Sequence, residues 1–161
     1  APARYDKEQL MHWQHEALLH LSSEEIWKWM EEKVQALVPS EKRGAFIEAV
    51  RANVSFPADA SHWAQIVFTD KLAVSHAARA AVTAAGDEFF NVACRALEKH
   101  GTDIKAVSEI LRQTLKVSGK SLFQPLRAAL MGELDGPEMA KLLPLIGVDR
   151  ARKRLSKSET L

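Results

Sequence analysis

Apolar residues at three- and four-residue spacing recur from one end of this 161-residue chain to the other, and nowhere do β-branched and aromatic residues alternate as a strand face requires. The periodicity is that of helix surfaces and predicts an all-α protein. Asp6 can cap a first helix carrying Leu10, Trp13, Ala17 and Leu18 on one face. Ser22-Ser23-Glu24-Glu25 has capping-box spacing before a helix with Ile26, Trp27, Met30, Val34 and Leu37. Pro39-Ser40 ends that helix and opens a third with Phe46, Ile47, Val50 and Val54, which breaks ahead of Pro57. Trp63, Ile66 and Val67 mark a short fourth helix. The alanine-rich stretch from Ser75 to Ala85 suits close packing against a neighbour, and Gly86 stops it. Asp87 opens a helix with Phe90, Ala93, Cys94 and Leu97 inward, ended by Gly101. Thr102 or Asp103 opens the next, with Ile104, Val107, Ile110, Leu111 and Leu115, ended by Gly119. Three short helices follow, punctuated by Gly132, Gly136-Pro137 and Gly147.

A chain of this length holds one domain or two small ones, and with 47% hydrophobic residues it has the material for a core. A single cysteine, Cys94, excludes a disulfide framework and a cysteine-built zinc site, and points to a reducing, cytoplasmic setting. No apolar run approaches the ~18 residues that span a bilayer, so no membrane partner is expected. The sequence starts at Ala1 without methionine, as a piece cut from a longer protein would.

Catalytic signatures are missing from the pattern. His12 and His15 share a helical face and His20 lies close, but a third metal ligand of fixed geometry is lacking. There is no G-x-S-x-G elbow and no glycine-rich phosphate loop. Cys94 reads as a small buried hydrophobe rather than a nucleophile. Trp13, Trp27, Trp29 and Trp63 read as core anchors, with Trp29 off the main stripe and suited to an interface.

Charge divides the chain. Residues 1–111 hold 12 Lys/Arg against 16 Asp/Glu, whereas residues 112–157 hold 10 against 4. The basic end is a candidate surface for a polyanion, because clustered Lys/Arg release counterions on meeting phosphates. The same run also suits a solvated helix face, or a helical protein-interaction module with a basic C-terminal face for an acidic partner. Glycine and proline at the short helix junctions favour the nucleic-acid reading, because they expose backbone groups that can touch bases.

The stretch from Gly119 to Leu155, GKSLFQPLRAALMGELDGPEMAKLLPLIGVDRARKRL, resembles the end of bacterial-type glutamyl-tRNA synthetases. There a G-(K/R)-x-L-x-x-P-L-R-x-A-L-x-G segment leads to a G-P-x-(M/L) helix start, an L-x-L-(I/L)-G helix end and a basic final helix. Upstream, Tyr5 to Trp13 is similar to that family's F-D-x-x-K-L-x-W segment, and Val67-Phe68-Thr69-Asp70 to the joint between its two anticodon-binding subdomains. Arg154-Leu155-Ser156-Lys157-Ser158 matches the KMSKS signature of class I aminoacyl-tRNA synthetases only superficially, with Arg and Leu where Lys and Met belong, and is read as coincidence.

The resemblance implies two small helical-bundle subdomains in tandem, residues 1–70 and 71–161. They would grip the anticodon arm of glutamate tRNA, in a monomer, with the Rossmann catalytic domain absent and acting in cis. It implies no catalysis and no cofactor in this piece, ATP and Mg²⁺ belonging to the parent enzyme, whose HIGH motif is missing here. Arg127 would approach the anticodon, and Gly136, Pro137 and Met139 would pack against its bases, Gly136 standing where members often carry Thr.

The chemistry agrees with those roles. Splayed bases need apolar contact and donors to their edges. Arg127 supplies a planar fork, Pro137 at a helix N1 position leaves neighbouring N–H groups free, and Met139 is a deformable apolar contact. Lys120, Arg150, Lys153 and Arg154 are expected to position phosphates, the last three from one helical face. In members that discriminate against glutamine tRNA, an arginine near the end of the first subdomain's third helix disfavours G at the third anticodon position. Counting back from Phe68-Thr69 places Asn53 there, with Arg51 two residues earlier as a substitute. Asn lacks the fixed positive fork, so a relaxed specificity that admits glutamine tRNA is expected.

Overall fold

The computed structural model describes residues 6–156, and these fall into two compact units that meet in sequence at Ala64 and Gln65. Among the described residues all regular structure is helical. The first unit contains α1 (Lys7–His20), α2 (Ser23–Trp29), α3 (Glu32–Leu37), α4 (Arg43–Val50) and most of α5 (Pro57–Phe68). The second contains α6 (His76–His100), α7 (Ile104–Leu115), α8 (Lys120–Met131), α9 (Met139–Ile146) and α10 (Val148–Ser156). The similarity to KMSKS runs on into Lys157 and Ser158, and that to the F-D-x-x-K-L-x-W segment starts at Tyr5; those three residues lie outside the described ones.

In the first unit the caps form where the side chains dictate. Asp6 accepts from the backbone N–H groups of Glu8 and Gln9, and Ser22 and Glu25 close a reciprocal capping box. Asp59 accepts from the N–H groups of Ser55 and Phe56, setting the start of α5 with Pro57 as its first residue. The helix expected from Ile26 to Leu37 is broken. Met30 is extended, and the Gln35 amide donates to the carbonyls of Trp27 and Met30 at 3.0 and 3.2 Å, which satisfies the end of α2 from α3. Ile26, Met30, Val34, Phe46, Ile47 and Val50 form the core.

The face of α1 expected to point inward is largely outside. Leu18 is buried, but Leu10, Ala17 and Trp13 are exposed, Trp13 by 60%. Of the other tryptophans, Trp63 is a core anchor, whereas Trp27 is half-buried beneath the Arg43 guanidinium, 4.8 Å from its ring centre, and Trp29 is half-buried.

The second unit is built on α6, against which α7, α8 and α10 pack. Phe89, Phe90, Leu97, Leu111, Leu122, Leu126, Leu130, Leu142 and Leu143 fill the core, each fully buried leucine adding ~1.5–3 kcal/mol. Gly86 (φ 76°) breaks α6 where a stop was expected, but the helix resumes at once. Its alanine-rich first half departs from the close-packed expectation, since Ala78 and Val82 are buried while Ala77, Ala80 and Ala84 face solvent. Cys94 is half-buried rather than buried, and burial together with nearby Glu98 pushes its thiol pKa up, away from nucleophile chemistry.

Candidate nucleic-acid interface

The sequence between Gly119 and Gly147 makes a helix, a tight reversal and a second helix. Along α8, Leu122, Pro125, Leu126, Ala128, Ala129, Leu130 and Met131 are buried, which leaves Lys120, Gln124 and Arg127 on another stripe at i, i+4 and i+7. Gly132 ends α8 in the left-handed region (φ 73°), its N–H donating to the Ala128 carbonyl. A Cβ at Gly132 would lie 2.0 Å from the Ala73 carbonyl oxygen, and Ser75 N–H donates to the Gly132 carbonyl at 2.9 Å. The reversal is therefore clamped to the segment entering α6, and only glycine fits.

The following loop brings Pro137 back beside α8. Arg127 Nη1 donates to the Pro137 carbonyl at 2.8 Å and approaches Met131 Sδ at 3.7 Å. The guanidinium thus bridges α8 and the approach to α9. Half-burial lowers its pKa and Asp135 opposes that shift, so it stays a cation with its remaining donors available. Pro137 and Met139 are buried and Gly136 is half-buried. Contrary to expectation, Pro137 does not occupy N1; it precedes Glu138, whose carbonyl accepts from Lys141 and Leu142, so α9 starts at Met139. Its carbonyl, rather than neighbouring free N–H groups, is the group that matters locally. Arg127 and Pro137 are thus in contact, with the buried Met139 two residues further along the chain.

The basic final helix is a different matter. Arg154 is 6% exposed, and its guanidinium donates to the carbonyls of Leu130 (2.7 Å), Thr69 (3.0 Å) and Ile66. These are orphan acceptors at the C-terminal ends of α8 and α5, where helix dipoles favour a cation. Burial, with Arg150 nearby, pushes this guanidinium down to about 10, and its Nε has no hydrogen-bond partner among the described residues. Arg154 cannot reach a phosphate, which corrects the expectation. Arg150 is half-buried and donates to Val67 (2.9 Å) and Ile146 (3.3 Å) carbonyls and to Asp70 (3.1 Å). It holds the Asp70 carboxyl below its ordinary value. It too serves the fold first. Lys153 and Lys120 are exposed and make no ion pair among the described residues, so of the four expected phosphate contacts these two keep the geometry for it.

In the first unit, Arg51 is likewise engaged. Its Nη2 donates to the carbonyls of Leu18, Leu19 and Leu21 at 3.2, 3.2 and 2.7 Å, plugging the end of α1, and its Nη1 pairs with Glu48. Arg51 is not a spare fork beside Asn53. Asn53 closes a 3-10 turn, exposed, with no side-chain hydrogen bond among the described residues. The three engaged arginines take carbonyls at helix ends that the backbone caps leave over, and a charge tally counts them as surface. The sequence reading also missed Gln124, one helical turn ahead of Arg127 on the same stripe.

Among the described residues no group of three or more His, Cys, Asp and Glu could hold a metal, and no helix is long and apolar enough to cross a membrane. A family model described as anticodon binding domain matches residues 7–158. Glutamate–tRNA ligase 2 of Nitrosococcus oceani is 47% identical over 155 residues, 96% of this chain and 33% of that protein. Glutamate–tRNA ligase 1 of Halorhodospira halophila is 41% identical over 100% of this chain and 33% of its own length. A crystal structure of a glutamate tRNA ligase from Elizabethkingia meningosepticum matches the fold with a TM-score of 0.76 at 23% identity, over 100% of this chain and 34% of that one. The chain spans about a third of the length of the curated relatives it matches.

Proposed function

Because the chain belongs to the anticodon binding domain family, we propose that it is the part of a glutamate–tRNA ligase that grips the anticodon arm of glutamate tRNA. Amino-acid activation with ATP and Mg²⁺ is then the work of the remaining two thirds of the longer protein, joined in cis. The observation that carries the reading is the Arg127 fork, anchored at one nitrogen by Pro137 and backed by the buried Met131. A splayed base needs a fixed donor, and this arrangement offers one without rearranging α8. Lys120 and Lys153 would add contacts to phosphates that orient the RNA without reading it.

On this reading Arg127 contributes a base contact worth ~1–3 kcal/mol. The experiment is fluorescence anisotropy with a labelled anticodon stem-loop of glutamate tRNA. Arg127→Ala is expected to weaken binding about tenfold or more while leaving the helical circular dichroism unchanged. Equal affinities for wild type and variant overturn the assignment.

Tolerance of glutamine tRNA belongs to the same proposal. It rests on Asn53 standing where the resemblance calls for an arginine, and on Arg51 being tied to three carbonyls of α1. Recruiting Arg51 to reject a G would uncap α1, which supports relaxed discrimination. Asn53→Arg is expected to raise the preference for the glutamate stem-loop, and a wild-type preference of about 100-fold or more (~2.7 kcal/mol) would refute relaxation.

A further inference from the structure

A cavity of about 450 Å³ lies between α6, the end of α7 and the start of α8. Phe89 and Pro125 give it apolar walls, and Glu88, Lys120, Ser121 and Gln124 supply its polar groups. None of these four side chains makes a hydrogen bond or ion pair with another described residue. That sets the cavity apart in a unit whose C-terminal arginines are engaged by helix ends. Gln124 and Lys120 also belong to the stripe of α8 that carries Arg127, so the cavity continues the surface on which the proposed anticodon contact sits. Along the helix axis, Gln124 lies ~4.5 Å and Lys120 ~10 Å from Arg127. With stacked bases ~3.4 Å apart, that is a separation of one to three nucleotides.

We propose that this cavity takes one unpaired base of the same RNA loop, a base bearing an exocyclic amino group, next to the nucleotide met by Arg127. The inference rests on the anticodon-arm reading. The Glu88 carboxylate accepts hydrogen bonds, and the Gln124 amide both accepts and donates. The carboxylate suits the amino group of adenine or cytosine and opposes the O4 carbonyl that uracil presents at the same place. Phe89 and Pro125 supply the apolar support that a flipped base needs, and the Lys120 ammonium at the rim suits the phosphate attached to it.

The test uses the 161-residue chain and a set of glutamate-tRNA anticodon stem-loops, each with one loop nucleotide made abasic, titrated by anisotropy at low salt. The proposal expects one position, outside the nucleotide read through Arg127, at which base removal costs about tenfold. At that position the loss should disappear in Gln124→Ala and Glu88→Gln, because the partner group is already gone. Ala84→Phe, which fills the cavity from its exposed edge, should weaken the intact loop by a similar factor. Should Ala84→Phe fail to fold by circular dichroism, the comparison of abasic loops with Gln124→Ala still decides. Free adenosine or cytidine monophosphate at millimolar concentration should not compete; tight binding of either would make this a mononucleotide site and overturn the proposal. If the stem-loop does not bind, or Arg127→Ala binds like wild type, the anticodon-arm reading itself has failed. If Arg127→Ala weakens binding while Gln124→Ala, Glu88→Gln and every abasic loop behave additively, the reading stands and the cavity is no base pocket.

Discussion

Replacing Arg154 by methionine separates its two candidate roles, phosphate contact and internal helix plug. The side chain is 6% exposed and donates to three carbonyls at the ends of α5 and α8. Each hydrogen bond from a charged donor contributes ~1.5–3 kcal/mol, and an acceptor left buried and unpaired costs ~1–3 kcal/mol. Removing the guanidinium also removes its own desolvation penalty, which offsets part of that loss, so the net expectation is ~3–5 kcal/mol, the lower part of the cost of leaving three acceptors unpaired. Trp13, Trp27, Trp29 and Trp63 all lie within residues 1–64, so tryptophan fluorescence does not report this unit directly and urea unfolding is followed by far-UV circular dichroism. With a slope of ~1–3 kcal/mol per molar urea, the midpoint of the transition carrying α8 and α10 should fall by about 1–5 M. Lys153→Met, one residue away and exposed, should shift it by less than ~0.5 kcal/mol. If Arg154→Met unfolds like Lys153→Met, or if it lowers the salt dependence of RNA binding while the fold is untouched, the plug account is wrong.

Lys153→Ala should weaken binding to all RNA loops alike and reduce the slope of log affinity against log salt by about 1, without altering preference among anticodons. Gly132→Ala places a Cβ 2.0 Å from the Ala73 carbonyl oxygen and should cost more than ~2 kcal/mol by urea unfolding. Gly86→Ala, at φ 76° but in open space, should cost only ~1–2 kcal/mol in the same assay. Because Arg150 holds the Asp70 carboxyl below its ordinary 3.8, this pair stabilises the fold above that pH and the contribution fades as pH falls through the depressed value. The difference in urea midpoint between wild type and Asp70→Asn should therefore be present at neutral pH and vanish in strong acid; a gap independent of pH would contradict the pairing.

Local signals in the sequence carried most of the helical layout. Asp6, Ser22 with Glu25, Pro57, Asp103 and Gly132 act at short range, and each marks a helix boundary in the structure. Where a boundary depends on a contact across the fold, as when Gln35 terminates α2, no local pattern announces it. The exposed Leu10 and Trp13 stripe shows the limit of periodicity, which identifies an apolar face without identifying what lies against it. That Arg127 and Pro137 lie together follows from adjacent elements, α8 and the approach to α9. Arg51, Arg150 and Arg154 were misread for one reason. Composition counts an arginine as positive surface, but five donors on one planar group also make it the best plug for converging carbonyls, and only the fold reveals which use is made.

The most direct test of the central claim is the ratio of dissociation constants for two stem-loops that differ only at the middle anticodon base, measured on this chain at several salt concentrations. Direct reading by Arg127 and its neighbours predicts a ratio of about 10 or more, retained as salt rises even while both affinities fall, because phosphate contacts are lost equally from the two RNAs. A ratio near one at every salt concentration would show that the chain holds RNA by charge alone and does not read the anticodon.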